Sequence, residues 1–354
     1  MDYYPEWKGT SMIKKIGILT GGGDSSAINA AIRAIYIRAS QFGWKVVGIK
    51  NGWDGLVKGN VMELNRDSVT GIIAEGGTIV GTSRTNPFKI ENGVEKVKEN
   101  IKKFELDAII TIGGDDTNGV ITKLTRYGIK GVGIPQTIDN DIAHSDYAIG
   151  CDTAVEVVTE CLDRLHTTAH SHSRIMIVEI MGRDAGWLAL NGGVAGGADV
   201  ILIPEVPFSY DEIIKVIEER KKRGRDFTVI AVAEGAKPEG EEGQITASCT
   251  VDNFGHVQLG GVGNVIAREL EKRTGYGTRV VILGHLQRGG KPTAFDRIVA
   301  TRLGIKAVEM IRDGKFSEMA VMENGSVSSV PLEKAINEEK PLDRELYELS
   351  KLLY

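Results

Sequence analysis

The chain of 354 residues has no run of eighteen apolar residues, so nothing in it reads as an ordinary transmembrane helix. Only three cysteines occur, Cys151, Cys161 and Cys249, too few and too unpatterned for a disulfide framework or a zinc site, and a reducing compartment is expected. Residues 1–11, MDYYPEWKGTS, carry neither the apolar core nor the cleavage pattern of a signal peptide. They read as a short, loose tail on a cytoplasmic protein. There is no internal repeat, coiled-coil heptad or low-complexity segment, no Gly-Lys-Ser/Thr phosphate loop and no full Gly-x-Gly-x-x-Gly fingerprint. Surplus positive charge is missing too: a formal net charge of -5 argues against a general nucleic-acid binder, and an anionic substrate would need arginines placed locally.

What is present is length for one large or two medium domains, and 44 glycines that point to many tight turns. Short apolar runs alternate with helical patterns. Residues 15–19, 45–49, 106–112, 131–134, 174–180, 200–203, 228–233 and 278–283 read as strands, most of them buried. Residues 27–42, 94–104, about 153–169, about 262–274 and 293–311 read as helices, and the charged tail from 332 as helix and exposed surface. Residues 237–243 are polar and read as a flexible surface loop. Such alternation means α/β architecture, a parallel sheet with helices on both faces.

Several strands end in chemically suggestive segments. Residues 20–24 (TGGGD) sit between a strand and a helix start, where bare backbone N–H groups and the helix dipole can hold phosphate; a plain turn is the alternative. Residues 113–117 (GGDDT) and 137–141 (TIDND) cluster acids at strand ends, where one carboxylate can hold Mg²⁺ and another can take a proton from a hydroxyl. Asp and Asn equally suit ordinary loops. Arg84, on a glycine-rich loop, can reach a phosphate bidentately or be solvated surface. His166, His170 and His172 lie close together, but without an acidic motif between them they read as helix-end packing or solvent contact rather than a metal site.

Taken together, ILTGGGD (18–24), GGDDT (113–117), TIDND (137–141), MGR (181–183) and LGHLQRGG (283–290) resemble the 6-phosphofructokinase family in order and spacing. Residues 152–190 resemble the branch that holds both ATP-using and pyrophosphate-using members. The resemblance implies two similar lobes, each a largely parallel sheet sandwiched by helices, with the active site in the cleft between them. Residues 1–150 plus 288–337 would form the phosphoryl-donor lobe, and 151–287 plus 338–354 the sugar-phosphate lobe. It further implies fructose 6-phosphate as acceptor, Mg²⁺, and a homodimer or homotetramer whose subunits share active sites.

Carried onto this chain, the resemblance makes Asp139 the general base toward the sugar 1-hydroxyl and Asp115 the Mg²⁺ ligand, with Asp141 orienting both. Thr137 would bond the reacting hydroxyl, and Gly22 would offer its N–H to the transferred group. Arg84 and Arg183 would neutralise transition-state charge. Arg174, Arg279, His285 and Arg288 would hold the 6-phosphate, Glu234 the sugar hydroxyls, and Met181 and Gly182 the ring. A structural ion pair competes for Arg174 and Arg279, and a core role for His285.

Two positions bear on the donor. ATP users in this family tend to have glycine after the metal aspartate, where this chain has Asp116. A carboxylate about 4 Å from a phosphate charge costs roughly 4 kcal/mol at an effective dielectric near 20, on the order of a thousandfold in affinity. Pyrophosphate users typically carry lysine before the TIDND segment and many ATP users glycine; here it is Gln136. Exclusion by Asp116 is the larger effect, so pyrophosphate is expected and ATP is the alternative. NAD kinase or lipid kinase folds lack the MGR and GHLQRGG segments, and a non-catalytic sugar-phosphate sensor has no need of the base.

Overall fold

The computed structural model describes residues 13–240, 246–251 and 257–352. The expected N-terminal tail, residues 241–243 of the expected surface loop and the side chain of Cys249 lie outside what is described. From the N-terminal side the order is β1 (Lys15–Thr20), α1 (Ile28–Gln41), β2 (Lys45–Ile49), α2 (Gly52–Lys58), β3 (Val61–Glu63), α3 (Gly93–Lys103), β4 (Ala108–Gly113), α4 (Asp115–Thr125) and β5 (Gly131–Pro135). The chain then crosses to α5 (Cys151–His172), β6 (Ile175–Ile180), α6 (Trp187–Ala195), β7 (Val200–Leu202), α7 (Tyr210–Lys222) and β8 (Thr228–Ala233). A hairpin of β9 (Thr246–Val251) and β10 (Val257–Leu259) precedes α8 (Val262–Thr274) and β11 (Thr278–Ile282). The chain returns through α9 (Ala294–Arg312), β12 (Glu318–Glu323), β13 (Ser326–Pro331) and α10 (Leu332–Asn337), and crosses once more to α11 (Arg344–Lys351).

Two sheets result. The first has the order β13-β12-β5-β4-β1-β2-β3, parallel through its centre, with antiparallel pairs at both edges. The second has the order β11-β6-β8-β7 and is wholly parallel. Each strand sends alternate side chains to opposite faces. Ile110 and Ile112 of β4 pack under α1 and α9, while Ile109 meets the layer of α2, α3, α4 and α10. In the second lobe Val178 and Ile180 of β6 face α5 and α6, and Ile175 and Ile177 face α7 and α8. Burial on both faces explains why these strands read as nearly continuous apolar runs. The lobes share a plan but not a size. Among the described residues no helix is long and apolar enough to cross a membrane.

Some expectations are met to the residue, β2, β8 and α8 among them, whereas α5 runs further at both ends than the expected 153–169. Part of the loop expected to be flexible is held: Phe208 donates to the carbonyl of Lys237 at 3.1 Å and accepts from the N–H of Glu239 at 2.9 Å. Of the three histidines, His166 and His170 pack at the helix end, and His172 is exposed. His166 donates to the carbonyl of Gly196 at 2.9 Å, and the rings of His166 and His170 lie edge-on to Phe227.

One buried carboxylate joins the lobes. Asp296, in the first turn of α9, accepts the N–H of Gly150 at 2.9 Å and of Thr153 at 2.8 Å, groups at the start of α5 that the helix itself cannot satisfy. Asp296→Ala leaves those donors buried and unpaired. It is expected to lower stability by about 3 kcal/mol, read from the shift of the urea unfolding transition.

Candidate active site

In an open parallel sheet, ligands meet the carboxyl ends of the strands where the strand order reverses. In the first sheet that place lies between β1 and β4, which are neighbours with later strands on either side. From β1 emerges the glycine turn, and from β4 the start of α4 with Asp115 and Asp116 in its first turn. The two turns touch: the N–H of Gly21 donates to Ile112 at 3.1 Å, and a Cβ on Gly21 would stand 2.5 Å from Thr117 Oγ1. Glycine is needed for contact at that range.

Nine expected residues come together. Gly22, Asp115, Asp116, Gln136, Thr137, Asp139, Asp141, Arg183 and Arg288 line one small pocket of about 40 Å³, with Gly23 beside them. Asp115, Asp141 and Arg183 also line the much larger adjoining cleft, about 860 Å³. Burial first, then Asp115, pushes the Asp139 carboxyl above the ordinary carboxylate range, and Arg288 and Arg183 oppose that rise. Thr137 Oγ1 accepts the N–H of Asp139 at 3.1 Å, fixing the short turn that presents the carboxyl. Asp141 keeps part of its surface open to the cleft, yet burial followed by Asp139 and Asp115 pushes it up to about 7.

The glycine turn behaves differently from expectation. Gly22 has a left-handed φ of 81°, as a glycine can, but its N–H donates to the carbonyl of Ser83 at 3.1 Å and its carbonyl accepts from Thr82 Oγ1 at 2.8 Å. The N–H assigned to the transferred group is therefore engaged by the neighbouring loop, the one that carries the exposed Arg84. Arg288 is buried, donates from Nη1 to the carbonyl of Asp24 at 3.0 Å, and lies so close that a Cβ on Gly23 would stand 2.2 Å from Nη1. Arg288 thus belongs to the pocket of Asp139, which Arg174, Arg279 and His285 do not line. Arg279 and His285 are exposed, and Arg279 Nη1 donates to the carbonyl of Thr278.

The second lobe supplies its residues from the ends of β6 and β8. Gly182 and Arg183 both take positive φ, 148° and 51°, which turns the chain sharply after β6. The N–H of Arg183 donates to Glu234 Oε1 at 3.1 Å; burial raises the Glu234 carboxyl and this bond works against the rise. Met181 is held through its N–H on Gln287 Oε1 at 3.3 Å, and Gln287, fully buried, also donates to the carbonyl of Gly284 at 2.9 Å. Gln287 was not singled out from the sequence, although it stands inside the GHLQRGG segment. Gln136 is almost fully buried and donates from Nε2 to the carbonyl of Gly23 at 3.1 Å, so its amide is oriented by the glycine turn.

Hard oxygen ligands suit a Mg²⁺ ion, which commonly takes one or two carboxylates and completes its shell with phosphate oxygens and water. Asp115 and Asp141 fit that donor set. The raised carboxyls of Asp139 and Asp141, to which the Asp115 charge contributes, mark a surplus of negative charge that a divalent cation would relieve. Among the described residues no group of three or more His, Cys, Asp and Glu makes a complete cage.

The phosphofructokinase family model matches residues 15–311. The pyrophosphate--fructose 6-phosphate 1-phosphotransferase of Amycolatopsis methanolica is 48% identical over 341 residues, covering 96% of this chain and 99% of that protein. The ATP-dependent 6-phosphofructokinase 2 of Streptomyces coelicolor is 46% identical over 334 residues, covering 93% of this chain and 97% of that protein. Among solved structures, the T-state phosphofructokinase of Pichia pastoris superposes with a TM-score of 0.81 at 32% identity, over 99% of this chain and 40% of that one.

The carboxylate pKa values set a test without any substrate. A carboxyl raised in the folded state binds more protons there than in the unfolded chain, so its ionisation costs stability as pH rises from about 4 to 7. Asp141→Asn removes that cost. In metal-free protein the melting temperature of Asp141→Asn relative to the unsubstituted chain should climb as pH rises from about 4 to 7 and then level off. Added Mg²⁺ should shrink the gap at high pH.

Proposed function

Since the chain belongs to the phosphofructokinase family, we propose that it is a pyrophosphate-dependent 6-phosphofructokinase, transferring a phosphoryl group to the 1-hydroxyl of fructose 6-phosphate to give fructose 1,6-bisphosphate. The observation that carries the reading is the gathering of Asp115, Asp139, Asp141, Arg183 and Arg288 around one pocket. Asp139 takes the proton from the sugar hydroxyl as its oxygen bonds to phosphorus and the bridging P–O bond breaks, releasing orthophosphate. A carboxyl lifted by burial is a stronger base for that step. Arg183 and Arg288 face it from two sides and balance the charge that develops on the phosphoryl oxygens. Asp115 would hold Mg²⁺, which when bound neutralises phosphate charge, and Asp141 would orient it. To receive phosphate, the N–H of Gly22 must exchange its bond to Ser83.

For the donor, Asp116 and Gln136 line the pocket together, and a fixed carboxylate there disfavours the extra phosphate of a nucleotide. The named activity of the Amycolatopsis relative agrees. ATP is the second reading, kept because the Streptomyces relative named for ATP is nearly as similar. Residues 1–150 plus 288–337 would serve the donor, and 151–287 plus 338–354 the sugar. Arg84 would act from its loop on the donor, with Glu234, Met181 and Gly182 around the sugar.

Arg174, Arg279 and His285 do not line the pocket, while Arg279 lies on β11, the exposed edge of the second sheet. This supports a homodimer or homotetramer in which Arg174 and Arg279 serve the 6-phosphate of a second copy's substrate.

Three measurements test the reading. Asp139→Ser should lower kcat by roughly 10²- to 10⁴-fold while fructose 6-phosphate still binds, by calorimetry; retained turnover removes Asp139 as the base. Turnover with pyrophosphate should exceed that with ATP at equal Mg²⁺, and Asp116→Gly with Gln136→Gly should improve ATP use; a faster ATP reaction in the unsubstituted chain reverses the donor assignment. Mixing Asp139→Ser with Arg279→Ala subunits should restore part of the activity if sites are shared between copies, and restore none if each subunit is self-sufficient.

A further inference from the structure

Residues 338–341 cross the cleft between two anchored helices. On one side Leu332 and Ala335 of α10 are buried in the core of the first lobe, and on the other Leu342, Leu346 and Tyr347, at and before α11, pack on the core of the second. In crossing, three successive residues grip the segment that follows the reacting acids. Glu338 pairs with His144 (Oε2 to Nε2, 2.6 Å), Glu339 makes an antiparallel bridge to Ile142, and Lys340 Nζ donates to the carbonyl of Asp146 at 2.9 Å. The same ammonium lies 4.6 Å above the ring of Trp187, the first residue of α6.

These contacts reach the carboxylates by short steps. The carbonyl of Asp146 that receives Lys340 also accepts from Asn140 Nδ2 at 3.2 Å, and Asn140 Oδ1 accepts the N–H of Ala148 at 2.9 Å. Asn140 stands between Asp139 and Asp141 with a left-handed φ of 52°, so its side-chain bonds hold the turn that aims both acids. On its other side Lys340 touches α6, which follows directly on the turn of Gly182 and Arg183. One residue therefore spans from the acid loop of one lobe to the helix behind the arginine of the other.

We propose that Lys340 is a positioning residue for phosphoryl transfer, clamping the Asp139–Asp141 turn against the Arg183 side of the cleft. The inference rests on the proposed function for its chemistry, and on the contacts above for its geometry. Lys340 is also poorly placed for stability alone. Burial lowers it to about 8; the titratable groups nearest it are Cys151, whose thiol burial keeps protonated, Asp146 and Asp141, with Glu338, Glu339, Arg183 and Arg344 around the same cleft. A lysine whose charge is suppressed this way costs folding energy below that pH, and an apolar residue would pack over Trp187 without the cost.

The test compares the full-length unsubstituted chain with Lys340→Met and Lys340→Arg. Lys340→Met should lose about 10- to 100-fold in kcat with KM for fructose 6-phosphate changed far less, since small misplacements of reacting groups cost that much. The unsubstituted chain should lose kcat as pH rises through about 8, where Lys340 gives up its proton. Lys340→Arg should keep most of the activity without that alkaline fall. Emission from Trp187, isolated by difference against Trp187→Phe, should titrate near pH 8 in the unsubstituted chain and not in Lys340→Met. Unchanged kcat in Lys340→Met, equal damage from both substitutions, or a Trp187 signal that does not titrate would each overturn the proposal. A chain silent with both donors but with the titrating Trp187 signal would sink the reaction and leave the clamp supported.

Discussion

Carboxylates repel one another, and three of them converge here from separate places in the chain. Asp115 opens α4, while Asp139 and Asp141 belong to the turn after β5; burial and mutual repulsion lift the latter two above the ordinary carboxylate range. That arrangement can persist only because Arg183 arrives from the second sheet and Arg288 from the returning chain to oppose the charge. Much of the architecture follows from that balance. Two sheets must place their carboxyl ends face to face, and a crossing loop must bring a buried guanidinium back onto the first glycine turn.

Closeness is what makes the balance possible. Arg288 approaches Gly23 nearer than any Cβ would allow, and its guanidinium is fixed by the carbonyl of Asp24 rather than by an acid of its own. It therefore keeps its charge available to Asp139. Gln136, one step before the acid turn, is tied to the same glycine turn through Gly23, so the positions of Gln136 and Asp139 depend on one piece of backbone. The Ser83 carbonyl holds the other face of that turn through Gly22. The loop that carries Arg84 thus occupies the one N–H that Gly22 offers.

Much of this was legible in the sequence where the physics is local. Strands such as β2 and β8, buried on both faces, announce themselves as apolar runs, and the pocket lies at carboxyl ends of the parallel sheets, where side chains are exposed. Asp139, Arg183 and Gln136 were each visible as a type in a place. What could not be read were bonds between residues far apart in the chain: Gln287 on Met181, Asp296 on the start of α5, Lys340 on Asp146. Each joins two elements whose neighbourhood exists only once the lobes have formed. The engagement of Gly22 by Ser83 belongs to the same class, since no local pattern foretells which carbonyl will face an open N–H. That Arg288 lines the pocket of Asp139 likewise depends on the packing of its loop onto Gly23, which no local pattern shows.

The return of the chain to its first sheet has a consequence for its birth on the ribosome. Strand β5 is fully buried and pairs on one side with β4, but its other neighbour, β12, begins only at Glu318, after both sheets' remaining parallel strands have been made. At roughly 5–20 residues per second, that edge waits on the order of ten seconds or more for its partner to be translated. A nascent chain of this shape carries an apolar, hydrogen-bond-hungry strand in the open for that interval, although α4 already covers one face of it. Holding chaperones have a physical target there, and a pause in translation between β5 and β12 would lengthen the exposure, while one ahead of β5 would not.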